Sequence, residues 1–159
     1  MRQTVQIPAV REFLTRHLVD VFDTMLQMRA ALMPRAEDPQ FTERVTGSVG
    51  FAGDTVTGAF YLHLSAAFAG QVAAAMLGLP AEELGEEEIN DVVGEATNML
   101  TGGLKSWLCD NGAECAVSTP AIIRGTTFNV EHMHDVERES LIFECGDNRL
   151  AVEIHIKIN

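Results

Sequence analysis

The sequence predicts an α+β fold in which long helices cover a mostly antiparallel sheet. Three observations indicate this class: a long segment with helical periodicity, two pairs of alternating strands, and two further helices between those pairs. The expected order of elements is therefore α-β-β-α-α-β-β-β. The chain has 159 residues, of which 47% are apolar, and this is enough for one core. We therefore expect a single domain over residues 1–159.

The first elements are a helix and a hairpin. Apolar residues recur every three or four positions through residues 8–33, which predicts one long amphipathic helix. Segments 43–52 and 55–64 alternate with period two, and Gly53 and Asp54 between them are typical of a tight turn. Together these segments predict an antiparallel strand pair.

Two helices are expected in the middle of the chain. Residues 66–77 are rich in alanine and are followed by Gly78, a residue that commonly ends helices. The next helix should begin at Glu86, since three consecutive glutamates favour the positive end of a helix dipole, and should run to about Cys109.

The last third of the chain is predicted to be β. Residues 114–118 are expected to be extended, and segments 140–145 and 149–158 should form a second hairpin. The final strand alternates between two faces. Its apolar face would carry Leu150, Val152, Ile154, Ile156 and Ile158, and its polar face Glu153, His155 and Lys157.

Composition argues against several classes of function and partner. A formal net charge of −12 is unsuited to nucleic acid or to an anionic membrane surface. No run approaches the roughly 20 apolar residues of a membrane span, and the amino terminus lacks the apolar core of a signal peptide. We therefore expect a cytoplasmic protein. Three cysteines without a Cys-x-x-Cys spacing predict neither a disulfide framework nor a zinc ribbon.

The most informative feature is a polar stripe on the third predicted helix. Asp91, Glu95 and Asn98 stand at positions i, i+4 and i+7 and therefore share one face. Asparagine and glycine are both disfavoured inside helices, glycine by about 1 kcal/mol relative to alanine, so an ordinary solvated face explains this stripe poorly. Small residues between the polar ones would let another surface come close. They are Gly94, Thr97, Thr101 and Gly102.

These side chains favour the positioning of water over covalent catalysis. The carboxamide of Asn98 offers a donor and an acceptor, so it can hold a water molecule in one orientation. The carboxylate of Glu95 can pair with a lysine of a partner.

The sequence here resembles the CheC/CheX/FliY-type chemotaxis phosphatases. Their motif is Asp or Ser, three residues, Glu, two residues, Asn and, further on, Pro. Asp91, Glu95, Asn98 and Pro120 match it. In this chain 21 residues separate the last two, against about 22 in the family, and loops tolerate such differences.

The resemblance implies a function, a partner and a role for each residue. The activity would be hydrolysis of the aspartyl phosphate on a CheY-like receiver domain. Glu95 would form a salt bridge with the receiver's lysine, and Asn98 would orient the attacking water. Asp91 would support the helix surface or contact the partner, and Pro120 would shape the neighbouring loop of the partner-binding surface. Mg²⁺ would belong to the receiver, and this chain would bind no cofactor or metal.

The number of active helices indicates a subtype. CheC-type members carry the motif helix twice, whereas residues 8–33 of this chain contain no Glu-x-x-Asn. One active helix per chain resembles the CheX type, which works as a homodimer.

Two alternatives remain open at this stage. A non-catalytic adaptor or binding module could keep the same fold and surface. A metal site could instead use His132 and His134, which would face the same way on a strand, although no second pair at a standard spacing completes it. His17, His63 and His155 are interpreted as isolated structural or solvated residues.

Overall fold

The computed structural model describes residues 5–126, 128–131 and 135–159. Within this part of the chain lie three α-helices: α1 (Ile7–Val21), α2 (Ala66–Leu77) and α3 (Glu86–Asp110). The strands described are β1 (Ala30–Leu32), β2 (Arg44–Ala52), β3 (Val56–Ser65), β4 (Ala116–Val117), β5 (Ala121–Gly125), β6 (Glu137–Cys145) and β7 (Asn148–Ile158). A π-helical turn (Phe22–Leu26) extends α1, and a 3₁₀ turn (Ala81–Glu83) precedes α3.

The strands form one antiparallel sheet in the order β1-β6-β7-β3-β2. Both β4 and β5 pair with the free edge of β2, β4 near its end and β5 near its beginning. Helix α3 packs on β2 and contacts both α1 and α2, so the helices cover one face of the sheet. The predicted α+β class with a helix-covered antiparallel sheet is confirmed.

The boundaries of the first helix were predicted wrongly. Regular α-helix ends at Val21, and Gln27 adopts a left-handed conformation with φ of 55° that stops the helix. The following segment, Ala30–Leu32, pairs with β6 as an edge strand. Ala30 is buried in this strand, Leu32 is half-buried and Ala31 is exposed. An apolar pattern over three residues cannot distinguish a short strand from the end of a helix.

The edge of the sheet beside β2 also departs from the prediction. The expected strand at 114–118 is reduced to Ala116–Val117, and β5 was not predicted. The side chains of β5 are all exposed or half-buried, so this edge strand shows no apolar alternation. The two hairpins, α2 and α3 lie close to the predicted bounds.

Among the described residues, no helix is long and apolar enough to cross a membrane.

Candidate functional site

Helix α3 presents the predicted polar stripe to solvent. Asp91, Glu95 and Asn98 are exposed, while the helix buries its opposite side in the core. Glu95 and Asn98 stand at i and i+3, a spacing that places side chains about 5–6 Å apart at Cβ. The buried apolar side consists of Val92, Val93, Ala96, Leu100, Leu104 and Leu108. A carboxylate and a carboxamide are therefore accessible side by side on one rigid element.

The two threonines in this part of α3, Thr97 and Thr101, do not face solvent. Thr97 is 0% exposed and Thr101 is 2% exposed. The hydroxyl of Thr97 donates to the carbonyl of Val93 at 2.7 Å, and that of Thr101 donates to the carbonyl of Thr97 at 2.9 Å. Because the helix backbone satisfies both hydroxyls, these residues pack inward, away from the exposed stripe of Asp91, Glu95 and Asn98.

Gly94, another of the small residues predicted to lie at a partner surface, is also buried. A Cβ at this position would lie 3.7 Å from Cγ of Pro120, in ordinary van der Waals contact. The surface that approaches α3 here is thus the chain's own β4–β5 connection. Gly102 differs, because it is exposed and a Cβ there would meet no atom within 4 Å.

Two hydrogen bonds flank Pro120, one to the sheet and one to the helix. On one side of it, Ser118 Oγ accepts a hydrogen bond from the Gly50 amide of β2 at 2.9 Å. On the other side, Arg124 Nε donates to Asn90 Oδ1 of α3 at 2.7 Å. Pro120 is half-buried beside Gly94, the residue that precedes Glu95. The sequence motif therefore corresponds to one continuous region of the fold.

The structure also contains a polar cluster that the sequence interpretation missed. Glu153 of β7 is buried and accepts hydrogen bonds from His63 Nε2 at 3.0 Å, from Arg138 Nε at 2.9 Å and from His155 Nε2. Thr46 Oγ1 lies 2.8 Å from His63 Nδ1. The interpretation of His63 and His155 as isolated residues is wrong. Pairing of β3 with β7 brings His63 to Glu153, and His155 lies two residues from Glu153 on the same face of β7.

The charge of Glu153 is stabilised by these neighbours. Burial alone would raise the pKa of this carboxyl, but hydrogen bonds from His63, Arg138 and His155, with the positive charge of Arg138, lower it to about 2. The cluster lies at the wall of a groove of about 730 Å³ that Arg44 also lines. No part of this cluster is on α3, so it is separate from the candidate site.

The proposed metal ligands His132 and His134 lie outside the described residues. Among the residues that the structure does describe, no group of three His, Cys, Asp or Glu side chains is arranged to hold a metal ion.

Comparison with known sequences decides the family. The family described as chemotaxis phosphatase CheX matches residues 45–144, a range that includes α3 and Pro120. The chain belongs to the CheX family. The resemblance inferred from Asp91, Glu95 and Asn98 is thus confirmed at the level of the family. No individually curated protein matches the sequence.

Solved structures share the CheX-family fold along nearly the whole chain. Chemotaxis protein CheX from Vibrio vulnificus is 24% identical with a TM-score of 0.80, covering 93% of this chain and 96% of that one. A CheC-like superfamily protein from Shewanella sp. PV-4 is 26% identical with a TM-score of 0.81, covering 96% and 99%. A chain of the CheX–CheY–BeF₃–Mg²⁺ complex from Borrelia burgdorferi is 22% identical with a TM-score of 0.73, covering 93% and 97%.

Proposed function

We propose that this protein hydrolyses the aspartyl phosphate of a CheY-like receiver domain by inserting Glu95 and Asn98 of α3 into the receiver's site. The observation that carries the proposal is the exposure of both side chains, one turn apart, on the motif helix of a CheX-family chain. The Borrelia burgdorferi relative, solved with CheY, BeF₃ and Mg²⁺, supports a receiver as the partner.

Each residue has a separate chemical role in this proposal. The Glu95 carboxylate pairs with a lysine of the receiver and so fixes the helix over the phosphorylated aspartate. The Asn98 carboxamide accepts from and donates to a water molecule and aligns its oxygen with phosphorus. The water oxygen then bonds to phosphorus while the bond from phosphorus to the aspartate oxygen breaks. The aspartate leaves as a carboxylate, and the protons of water pass to phosphate and solvent.

Mg²⁺ belongs to the receiver in this scheme and stabilises charge on the phosphoryl oxygens. The chain itself contributes one negative side chain and one neutral one. A neutral amide suits a position close to the phosphoryl group, because a second carboxylate there would be repelled by it.

Gly102 supports close contact with the receiver beyond Asn98. Of the glycines inside α3, Gly94 lies beneath Pro120, whereas nothing in the described chain approaches Gly102. Glycine inside a helix costs about 1 kcal/mol relative to alanine. The approach of a partner's surface would account for that cost. Asp91 and Pro120 flank the same face and complete the proposed contact.

We further propose that the protein works in the cytoplasm as a homodimer of single-domain chains. The support is the resemblance to the CheX type, in which each chain carries one active helix. Light scattering of the purified protein would give a mass near twice that of the chain, which is 17.3 kDa. A mass equal to one chain at micromolar concentration would contradict the dimer.

A non-catalytic adaptor of chemotaxis or another two-component pathway is the second candidate, because the same surface could bind a receiver without turnover. The two are separated by the lifetime of receiver phosphate at a protein-to-receiver ratio of about 1:50. We expect many phosphates to be lost per molecule of protein. An effect that saturates at one molecule per receiver would support the adaptor instead.

A further inference from the structure

His17 of α1 makes a hydrogen bond to the backbone of the turn that carries Asn98. Its Nε2 lies 3.1 Å from the carbonyl oxygen of Met99, the residue next to Asn98. A carbonyl can only accept, so Nε2 carries the proton and donates. Inside a helix the Met99 carbonyl also accepts from the amide of Gly103. The imidazole therefore adds a second donor, from another helix, to a carbonyl already in use.

Gly103 is the residue that makes this contact sterically possible. A Cβ on Gly103 would lie 2.0 Å from Nε2 of His17, well inside contact distance. The glycine is thus explained by the approach of the imidazole, in contrast to Gly102, which faces open space. Gly103 thus lacks a side chain on the face of α3 that meets His17, and Gly102 lacks one on the face that meets solvent.

Aromatic stacking fixes the plane of the imidazole. The ring of His17 stacks on Phe13 with centroids 5.2 Å apart and planes inclined by 18°. Phe13 in turn stacks on Trp107 of α3 at 5.3 Å and 14°. Because α1 holds the ring through Phe13 and α3 supports Phe13 through Trp107, the donor is preorganised toward the Met99 carbonyl.

We propose that His17 is a positioning residue for the phosphatase reaction. It sets the position of the Asn98 turn of α3, so that the carboxamide reaches the receiver's site in the orientation needed to align water. This inference rests on the proposed function. His17 touches neither receiver nor water, and it acts only through the Met99 carbonyl. Small errors in the placement of such a group cost rate more than binding.

The test compares two variants of equal side-chain length, His17→Gln and His17→Met. Both lose the stacked ring, but only glutamine keeps a nitrogen donor able to reach the carbonyl. In a receiver dephosphorylation assay we expect His17→Gln to retain kcat within about twofold of the parent, and His17→Met to lose about five- to tenfold. KM for the phosphorylated receiver should stay within about twofold for both. Equal kcat for the two variants, or a change in KM alone, would overturn the proposal.

A second measurement is independent of activity. In the parent, nitrogen chemical shifts should show His17 as the Nε2–H tautomer, and amide exchange over residues 98–103 should be faster in His17→Met than in His17→Gln. An Nδ1–H tautomer, or equal exchange in the two variants, would refute the positioning role. If the parent protein dephosphorylates no receiver, the proposed function fails, and the exchange comparison still decides whether His17 holds this turn.

Discussion

Thr97 occupies the space in which Gly47 lacks a side chain. A Cβ at Gly47 of β2 would lie 1.9 Å from Oγ1 of Thr97 on α3, and Thr97 is fully buried. Helix α3 therefore packs directly on the backbone of β2 at the turn before Asn98. The small residues first interpreted as an approachable surface serve in part to bring the helix onto its own sheet.

This contact predicts a large loss of stability from a small substitution. Gly47→Ala should lower the free energy of unfolding by about 1–3 kcal/mol, because the core has no room for the added methyl group. Denaturant unfolding of Gly47→Ala, Thr97→Ala and the double variant measures the effect. The double variant should lose less than the sum of the single losses, since Thr97→Ala removes the clashing oxygen. Strict additivity would show that the two residues do not compete for one space.

The three glycines of α3 should respond differently to alanine. Gly102→Ala meets open space, so it should raise the free energy of unfolding by up to about 1 kcal/mol and yet slow receiver dephosphorylation. Gly94→Ala is the matched control, because its methyl group meets Pro120 only at contact distance. Its stability should be similar to that of Gly102→Ala, and its rate of receiver dephosphorylation should change little. Gly103→Ala should destabilise the fold, since its methyl group collides with His17. Full activity of Gly102→Ala would argue against a partner surface at that residue.

Glu95 is expected to govern encounter with the receiver more than the chemical step. Glu95→Gln removes the negative charge but keeps the size of the side chain, so KM for the phosphorylated receiver should rise severalfold, with a smaller effect on kcat. The rise should shrink at high salt, because screening weakens the parent's ion pair. Glu87→Gln, which removes another exposed carboxylate near the start of the same helix, is the control. Equal effects of the two substitutions would indicate general electrostatic attraction without a specific pair.

The Glu153 cluster predicts acid sensitivity of the fold. Its carboxyl has a pKa of about 2 in the folded protein against an ordinary value of 4.5. A folded-state pKa below the unfolded one stabilises the fold at pH values above about 4.5, and this stabilisation is lost as pH falls toward 2. At neutral pH, Glu153→Gln should reduce the free energy of unfolding by an amount on the order of 2–3 kcal/mol.

The difference in free energy of unfolding between the parent and Glu153→Gln should become smaller as pH is lowered from 5 to 3. Glu144→Gln, which removes an exposed carboxylate on β6, is the control. Its free energy of unfolding should differ little from that of the parent at every pH. A difference in free energy of unfolding that does not change with pH would show that the lowered pKa of Glu153 is not its cause.

The sequence predicts best those features that depend on local periodicity. The exposed stripe of Asp91, Glu95 and Asn98 follows from 3.6 residues per turn, and the hairpins follow from alternation and turn residues. The sequence predicts poorly whether a threonine side chain faces solvent or the core. Thr97 is a polar residue, but its hydroxyl donates to the helix backbone and the side chain can therefore be buried. The bond of His63 to Glu153 depends on pairing between distant strands, which one sequence pattern does not encode. His155 and Glu153 share a face of β7, as alternation predicts, but alternation does not show that this face is buried.

The most direct test of the account is the rate of receiver dephosphorylation by Asn98→Ala. Asn98 is exposed, so the variant should fold with unchanged thermal stability and still bind the phosphorylated receiver through Glu95. Gln71→Ala, which removes an amide exposed on α2, is the control and should act as the parent does. The account predicts that Asn98→Ala loses the acceleration, by about 100-fold or more, as expected when the group that aligns water is removed. A folded Asn98→Ala protein with the parent's rate would contradict it.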